Sequence, residues 1–370
     1  MEFLFLSFVL LIRHRKKKPI WLKTKKRRLT NLDPLLTSSY HYELPDELIA
    51  THPIHPRDHA RLLVYNRSDK TITHARFDAL ESFLPQNCGI IFNDTKVIKA
   101  RLYGKKESGG AIELLINRPL DAYAINVYIK GRVKLNTLLL FDADLTARIT
   151  ALNEDGSREV NFYLRECRIR FEELLPILEK VGHIPLPPYL GREDNSEDER
   201  EYQSVFAHYE GAVAAPTASL HFSDKLFEAV CSSHPHAFVT LHVGSGTFKP
   251  VEAEIITDHP MHSEYFDISA SAQELLHSDI PLLSIGTTST RTVEYHVRTQ
   301  ELSGEANLFL HPNNPPQRVN HLLTNFHLPQ STLLMLVASF VGLEETHRIY
   351  QSAIDEKYRF FSYGDAMLIL

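Results

Sequence analysis

The middle of the chain is patterned for β-strands. Between Val97 and Phe171, short apolar runs alternate with polar residues, and turn-forming residues separate the runs. A spacing of roughly 8–12 residues between turn signals is typical of a small β-barrel. We predict that segment 97–171 forms an inserted β-barrel, with strands that include 111–116, 124–129, 137–141, 145–149 and 159–164.

The flanking segments, 39–96 and 172–370, mix strands with helices at helical spacing. This pattern predicts an α/β fold, a core domain with a mixed sheet into which the barrel domain is inserted. The predicted helices are 77–84, 171–181, 224–232, 271–277, 288–300, 331–341 and 344–357; the predicted strands are 62–65, 71–75, 89–92, 237–243, 281–286 and 307–310.

The N-terminal residues differ from the rest in charge. Residues 1–40 hold ten Lys or Arg and two acidic residues, which leaves 41–370 with 30 basic and 44 acidic residues and a net charge of −14. The apolar run Phe3–Ile12 has ten residues, whereas a membrane-spanning helix needs about 20. Basic residues follow the run, whereas in a secretory signal they precede it. We expect 1–38 to be a basic, disordered extension; the alternative is a membrane-surface or RNA-binding tail.

Composition and missing motifs exclude several classes of protein. The acidic body argues against general nucleic-acid binding, so an RNA partner would need a local basic patch. The three cysteines, Cys88, Cys167 and Cys231, are widely spaced, which favours a reducing cytoplasm. The sequence contains no P-loop, no Gly-x-Ser-x-Gly and no Gly-x-Gly-x-x-Gly motif. These absences argue against P-loop, α/β-hydrolase and Rossmann cofactor chemistry.

Histidines cluster in one part of the chain. Six of the 20 histidines fall between His221 and Glu264. Histidine titrates near neutral pH and can both donate and accept a proton. Small residues, glycines and prolines surround these histidines, as they do where backbone approaches a ligand closely. The segment is therefore the first candidate for an active site.

Three motifs in this segment each allow two interpretations. The Gly-rich turn in 242–248 (HVGSGTF) could hold an anion while His242 moves a proton, or it could be a plain turn. The run 211–217 (GAVAAPT) could admit a flat base or sugar, or it could allow two layers to pack tightly. The pattern in 259–264 (HPMHSE) fits general acid/base catalysis at least as well as zinc, for which its spacing is weak.

Polar residues also follow predicted strands elsewhere. Asn93–Thr95, 286–291 and Thr324–His327 stand where ligands bind in α/β proteins, although helix caps and turns would use the same residues. The C-terminal segment 357–367 interleaves basic and aromatic residues. Such a surface stacks bases and holds phosphates, and a packed strand is the alternative.

Taken in order, these motifs resemble one family, the S-adenosylmethionine:tRNA ribosyltransferase-isomerases of queuosine synthesis. The resemblance spans about 41–370, with departures at Ser219, Pro260, Thr290 and 311–316. The matching segments are 42–45 (YELP), 56–63 (PRDHARLL), 92–97 (FNDTKV), 182–189 (GHIPLPPY), 202–203 (YQ), 211–217, 220–222 (LHF), 242–248, 261–264 (MHSE), 286–292 (GTTSTRT), 322–329 (LLTNFHLP), 331–335 (STLLM) and 358–367 (YRFFSYGDAM).

The resemblance implies an unusual reaction. The ribosyl part of S-adenosylmethionine would move to 7-aminomethyl-7-deazaguanine at the wobble position of tRNAs with GUN anticodons. The sugar would become an epoxycyclopentanediol, with release of adenine and methionine. S-adenosylmethionine would then be a consumed substrate, and no metal or permanently bound cofactor is expected. The resemblance also implies a monomeric protein that acts in the cytoplasm and does not contact a membrane.

The resemblance also implies roles for individual residues. A base would remove the acidified C5′ proton of the sulfonium, and a donor would protonate the departing adenine. The expected catalytic residues are His242, His262 and Glu264, followed by Asp94 and His327. Residues expected to bind S-adenosylmethionine or the modified base are Asn93, Thr95, Pro216, Thr217, His221, Gly244, Gly246, Thr247, Phe248, Met261, Gly286, Thr287, Thr288, Arg291, Thr324, Asn325, Phe326, Tyr363, Gly364 and Asp365; those expected to bind tRNA are Arg57, Arg61, Lys357 and Arg359.

Two other functions stay open at this stage. One is a metal-dependent hydrolase that uses His221, His259, His262 and Glu264. The other is a non-catalytic RNA-binding module, which would bind tRNA without releasing adenine from S-adenosylmethionine.

Overall fold

The computed structural model describes residues 32–244 and 251–370. Within these ranges the strands are β1 (Arg61–Asn66), β2 (Thr71–Arg76), β3 (Gly89–Asn93), β4 (Thr95–Val97), β5 (Arg101–Lys106), β6 (Ala111–Pro119), β7 (Ala124–Lys130), β8 (Leu138–Leu140), β9 (Leu145–Leu152), β10 (Arg158–Leu164), β11 (Cys167–Arg168), β12 (Tyr209–Ala212), β13 (His236–Leu241), β14 (Glu264–Ile268), β15 (Leu282–Ile285), β16 (Ser303–Ala306), β17 (Val319–Asn325) and β18 (Ala366–Ile369).

Several helices begin at a serine that the sequence places just before an apolar repeat. Ser223, Ser269 and Ser331 each accept a hydrogen bond from a backbone N–H in the first turn. Such caps satisfy donors that have no partner inside the helix. The α-helices of the described residues are α1 (Phe171–Val181), α2 (Asp198–Glu201), α3 (Asp224–Ser233), α4 (Ala270–Leu276), α5 (Gly286–Thr299), α6 (Thr332–Val341) and α7 (Leu343–Asp355), and the predicted helix at 77–84 is a 3₁₀ helix, Phe77–Phe83.

A large mixed sheet forms the core, as the sequence predicts. Among the described residues it has nine strands, in the order β16-β14-β13-β3-β15-β17-β18-β1-β2. Strands β13, β3, β15 and β17 are parallel, so their carboxyl ends meet at one edge. Strands β14 and β18 are antiparallel to their neighbours in this group, and β1 is parallel to β18, so these three strands begin at the same edge. We call this the site edge.

Both faces of the sheet are covered. Ile91 and Leu322 point to a layer that contains α6 and α7, whereas Ile90 and Leu323 point to a layer that contains α3. Burial on both faces explains why the parallel strands read as continuous apolar runs in the sequence.

The second unit is a closed antiparallel barrel. Within the fully described segment 97–171, strands β5 to β10 pair in the order β10-β7-β6-β5-β8-β9, and β9 pairs with β10 to close the ring. Alternate residues such as Ile112, Leu114 and Ile116 fill its interior, and Leu174 and Leu178 of α1 pack against them. The fold class predicted from the sequence, a mixed-sheet α/β core with a small barrel, is confirmed.

One predicted strand is wrong. Residues 307–310 are irregular, and the strand of this region, β16, ends at Ala306. Leu310 is buried, and the carbonyl of Leu308 accepts a hydrogen bond from Nε of Arg291 at 3.2 Å. A side chain thus satisfies the backbone of this apolar run in place of a neighbouring strand, a difference that hydrophobic pattern does not reveal.

Residues 32–38 belong to the predicted N-terminal extension and are described, whereas residues 1–31 lie outside the described part of the chain. Leu32 and Leu35 pack against the core, and Oγ1 of Thr37 donates to the carbonyl of Ala253 at 2.6 Å. The core therefore begins before residue 39, because these apolar side chains find a buried surface. No helix in 32–244 or 251–370 has the length and apolar character that crossing a bilayer requires.

Candidate active site

The site edge gathers the polar segments that follow the parallel strands. Asn93 ends β3 and 94–95 follow it, 242–244 follow β13, 286–288 follow β15 and Thr324–His327 stand at the end of β17. The chain turns from β15 into α5 at Gly286, whose φ of 90° is accessible mainly to glycine. Segments far apart in sequence therefore meet at one edge, as expected for a ligand site in an α/β protein.

Hydrogen bonds from the side chain of Asn93 connect the segments at the site edge. Its Nδ2 donates to the carbonyl of Leu241 and to Oγ1 of Thr288, both at 3.1 Å. Its Oδ1 accepts from the N–H groups of Leu241 at 3.0 Å and Thr95 at 3.2 Å. The amide thereby uses its hydrogen-bonding capacity within the protein. Its geometry supports positioning of β3, β13 and α5 around a ligand.

His242 is held from three sides. Its Nδ1 lies 2.8 Å from Oγ1 of Thr95, and its ring is parallel to that of Tyr265, with 6.0 Å between centroids and 17° between planes. Gly211 leaves room for the ring, because a Cβ there would lie 2.8 Å from it. Burial lowers the pKa of His242, which favours the neutral imidazole at pH 7. Within 32–244 and 251–370, no hydrogen bond occupies Nε2; in the tautomer that donates from Nδ1 to Thr95, Nε2 is a proton acceptor.

Glu264 and Arg291 form a buried pair beside His242. Oε2 of Glu264 lies 2.5 Å from Nη1 of Arg291, and Oε1 accepts from the N–H of Gly244 at 3.1 Å. Arg291 also donates to the carbonyls of His262 at 3.3 Å and Ala306 at 3.4 Å. The pair therefore connects β14, β16, α5 and the chain after β13.

A cavity that we call the His262 cavity is lined by His259, Met261, His262, Glu264 and Arg291.

Two further histidines of the site edge are buried and neutral. Nε2 of His221 accepts from Nδ2 of Asn325 at 3.1 Å, and Nε2 of His327 lies 2.8 Å from Oγ1 of Thr324. Burial lowers the pKa of each to about 3; for His221 nearby arginines contribute as well. Neither ring is an imidazolium at pH 7. Asn325 also has a buried Oδ1 without a hydrogen-bond partner in the described structure.

The arginines predicted to meet tRNA are engaged within the protein. Arg57 donates to the carbonyl of Gln203 at 3.0 Å, and the guanidinium of Arg61 lies 3.8 Å from the ring centroid of Tyr358. Arg359 donates to the carbonyl of Tyr363 at 2.6 Å, and Lys357 is exposed. A second cavity, the His221 cavity, is lined by Arg57, Glu201, His221, Arg359 and Tyr363.

The acidic candidates outside the Glu264–Arg291 pair are anchored by hydrogen bonds. Asp365 accepts from the N–H groups of Arg61 at 2.9 Å and Arg359 at 2.7 Å, which joins β1 to the turn before β18. Asp94 accepts from Oγ1 of Thr240 at 2.7 Å. Burial raises the pKa of both carboxyl groups.

The remaining candidates differ in accessibility. Phe326 is fully buried and packs on Tyr350, Tyr358 and Phe360. Gly364 allows a close approach, because a Cβ there would lie 2.5 Å from the carbonyl of Arg359. Thr217 begins the 3₁₀ helix Thr217–His221, directly after Pro216, and Thr287 is buried at the start of α5. The predictions for Gly246, Thr247 and Phe248 fall outside the described residues.

Sequence reasoning missed two residues beside His242. Gly211 was predicted only as part of a small-residue loop, and its contact with His242 is between residues far apart in sequence. Tyr265 carries no motif, since one aromatic residue in a strand is ordinary.

The arrangement counts against the metal-dependent hydrolase. Within 32–244 and 251–370, no three His, Cys, Asp or Glu side chains come together in a way that could hold a metal ion. His221 lines one cavity, whereas His259, His262 and Glu264 line another. The four residues of that hypothesis thus do not form one ligand set.

Comparison with known proteins defines the class. Residues 37–369 match the model of a family described as queuosine biosynthesis protein. The match spans most of the chain and includes the core, the barrel and every segment of the site edge. The chain belongs to this family of queuosine biosynthesis proteins.

Individual relatives are more specific. The S-adenosylmethionine:tRNA ribosyltransferase-isomerase of Sulfurimonas denitrificans is 64% identical over 337 residues, which cover 91% of this chain and 98% of the relative. The protein of the same name from Nitratiruptor sp. is 59% identical over 339 residues, which cover 92% and 100%. The crystal structure of S-adenosylmethionine tRNA ribosyltransferase from Thermotoga maritima is similar, with a TM-score of 0.51, 32% identity and coverage of 90% and 100%.

Proposed function

We propose that this chain is an S-adenosylmethionine:tRNA ribosyltransferase-isomerase. It transfers the ribosyl group of S-adenosylmethionine to 7-aminomethyl-7-deazaguanine in tRNA and isomerises the sugar, which yields epoxyqueuosine-tRNA, adenine and methionine. The observation that carries the proposal is the neutral His242, held by Thr95, Gly211 and Tyr265 at the site edge of a chain whose relatives bear this name.

The geometry supports a base role for His242. The positive sulfur of S-adenosylmethionine acidifies the neighbouring C5′–H, and a neutral imidazole with an available Nε2 can take that proton. The imidazolium so formed can return a proton to the departing adenine, so that the proton is conserved. Glu264 and Arg291, already paired, position the chain around Gly244, and His262 lines the adjoining cavity. His221 and His327, both neutral, serve as hydrogen-bonding groups for the substrates.

We further propose the setting in which the enzyme works. Its substrates are tRNAs with GUN anticodons, it keeps no permanently bound cofactor, and it acts as a monomer in the cytoplasm. Cys88, Cys167 and Cys231 are all free thiols, which is typical of a reducing compartment. Exposed Lys357 contributes to the tRNA contact, while Arg57, Arg61 and Arg359 shape the surface beside it.

The proposal is tested by adenine release. The purified protein is incubated with S-adenosylmethionine and tRNA that carries 7-aminomethyl-7-deazaguanine, and adenine is quantified by liquid chromatography. We expect release only when both substrates are present, and the same rate after treatment with a chelator. Tight tRNA binding without release would instead identify an RNA-binding module, and loss of activity on chelation would identify a metal enzyme.

Replacing Gly211 with alanine is expected to lower kcat by about 10-fold to 100-fold. The new Cβ would lie 2.8 Å from the imidazole of His242, which must then move away from Thr95. The rate of adenine release at saturating substrates measures the effect. Gly156→Ala is the control for backbone strain, because Gly156 also has a positive φ, of 87°, and its Cβ would meet nothing within 4 Å. Equal rates for the two variants would show that the position of His242 does not limit turnover.

A further inference from the structure

Two tyrosines at the site edge are exposed although their neighbours are buried. Tyr265 is 45% exposed and Tyr209 is 54% exposed, whereas Thr95 and Glu264 are 0% and 5% exposed. Tyrosine joins an apolar ring to a polar hydroxyl and is enriched where proteins bind partners.

Both tyrosines adjoin the Thr95–His242 pair. Tyr265 is parallel to the ring of His242, and Tyr209 stands in register with Thr95 in the short parallel sheet formed by β12 and β4. Two residues after Tyr209, Gly211 contacts the same histidine ring. The ring of Tyr265 therefore stands beside the imidazole that the proposed function uses, and Tyr209 stands on the strand next to Thr95, which holds that imidazole.

Tyr265 also stands next to an ion pair that contains a partly exposed cation. Glu305 is in register with Tyr265 and lies 2.8 Å from Nη1 of Arg118, a barrel residue that is 47% exposed. A second pair, Glu210 with Nζ of Lys96 at 2.7 Å, lies on the other face of the two-stranded sheet from Tyr209, and Lys96 is 38% exposed. Surface ion pairs of this kind contribute little to the free energy of folding. Their Arg or Lys side chains can therefore leave the carboxylate and bind RNA phosphates with little loss of stability.

We propose that Tyr265 and Tyr209 form a stacking platform for unpaired bases of the tRNA anticodon loop, next to the base that reacts at His242. Aromatic rings hold unpaired bases in this way, and nearby Arg or Lys residues hold the backbone. The exposure of both rings favours RNA over S-adenosylmethionine as the occupant, because a loop of several bases can cover an open surface. This inference rests on the proposed function and assigns residues to its RNA substrate.

The test compares Tyr265→Leu and Tyr209→Leu with the wild-type enzyme. Each leucine keeps an apolar side chain and removes the flat ring, so we expect each variant to raise KM for tRNA by about 5-fold to 100-fold. KM for S-adenosylmethionine should stay unchanged in Tyr209→Leu, whereas Tyr265→Leu should also lower kcat because its ring stacks on His242. Binding of a labelled anticodon stem-loop, measured by fluorescence anisotropy, should weaken by a similar factor.

Conservative and control variants separate stacking from folding. Tyr265→Phe keeps the ring and should restore wild-type tRNA affinity. Tyr123→Leu changes a tyrosine on the barrel that is 37% exposed, and it should leave both KM values unchanged. Circular dichroism spectra establish that each variant is folded.

Other outcomes would overturn the platform. Unchanged tRNA KM and stem-loop affinity in both leucine variants would remove it, and a selective rise in KM for S-adenosylmethionine would assign the rings to that substrate instead. The anisotropy measurement needs no turnover. If the wild-type protein releases no adenine, the proposed function fails, while stem-loop binding still reports separately on the tyrosines.

Discussion

Replacing His242 with glutamine is expected to lower kcat for adenine release by about 10²-fold to 10⁴-fold. Glutamine cannot accept the C5′ proton, yet its amide can still hydrogen-bond Oγ1 of Thr95, so the fold around the position is preserved. Turnover at saturating S-adenosylmethionine and modified tRNA measures the loss. Binding of the tRNA should change little, because the role proposed for the imidazole concerns the sugar.

The pH profile gives an independent readout of the same group. Burial lowers the pKa of His242 below its usual 6.5. A protonated imidazole cannot act as a base, so kcat of the wild-type enzyme should fall as pH falls through this lowered pKa. The acidic limb should be absent from the residual activity of His242→Gln.

His236→Gln is the control for this prediction. His236 begins the strand that ends next to His242, so it lies at the opposite end of β13 from the site edge. Its replacement should leave kcat unchanged. If His242→Gln and His262→Gln both turn over at the wild-type rate, the assignment of proton transfer to these histidines is wrong.

Replacing Arg291 with methionine is expected to destabilise the protein by about 3–5 kcal/mol. The substitution leaves the carboxylate of Glu264 buried without its cation and frees the carbonyls of His262 and Ala306. Urea unfolding followed by circular dichroism measures the change in the free energy of unfolding. Adenine release should fall as well, because Glu264 also holds the N–H of Gly244.

An exposed pair provides the contrast. Arg165 lies 3.2 Å from Asp144, and both side chains are mostly in water. Arg165→Met should therefore change stability by less than about 1 kcal/mol. The double variant Glu264→Gln/Arg291→Met should be more stable than the sum of the single losses predicts, since no unpaired charge remains. Equal losses for Arg291→Met and Arg165→Met would contradict the structural role of the buried pair.

Much of the fold was predictable because its elements carry local signals. Helix Phe171–Val181 and the strands of the barrel follow from period-3.6 and period-2 patterns. The failed strand at 307–310 shows the limit of such signals. Leu310 is buried and Leu308 and Phe309 are partly buried, but the backbone of this run is satisfied in part by Arg291 of α5. The predicted domain boundaries, which place the barrel at 97–171 and the core at 39–96 and 172–370, stay a prediction.

The candidate site was predictable as a location more than as a mechanism. Polar residues after apolar strands indicated the edge where Asn93, His242 and Asn325 meet. Whether a polar group is available to a ligand depends on its neighbours, however. Asn93 uses its amide within the protein, whereas no described hydrogen bond occupies Nε2 of His242.

The sequence by itself determined the α/β class, the inserted barrel, the family resemblance and the polar segments that meet at the site edge, since periodicity, turn residues and motifs are local properties. Only the tertiary structure decided that Gly211 and Tyr265 hold His242 and that Glu264 pairs with Arg291. Those contacts depend on strand order and register, which bring together side chains that no pattern along the chain connects.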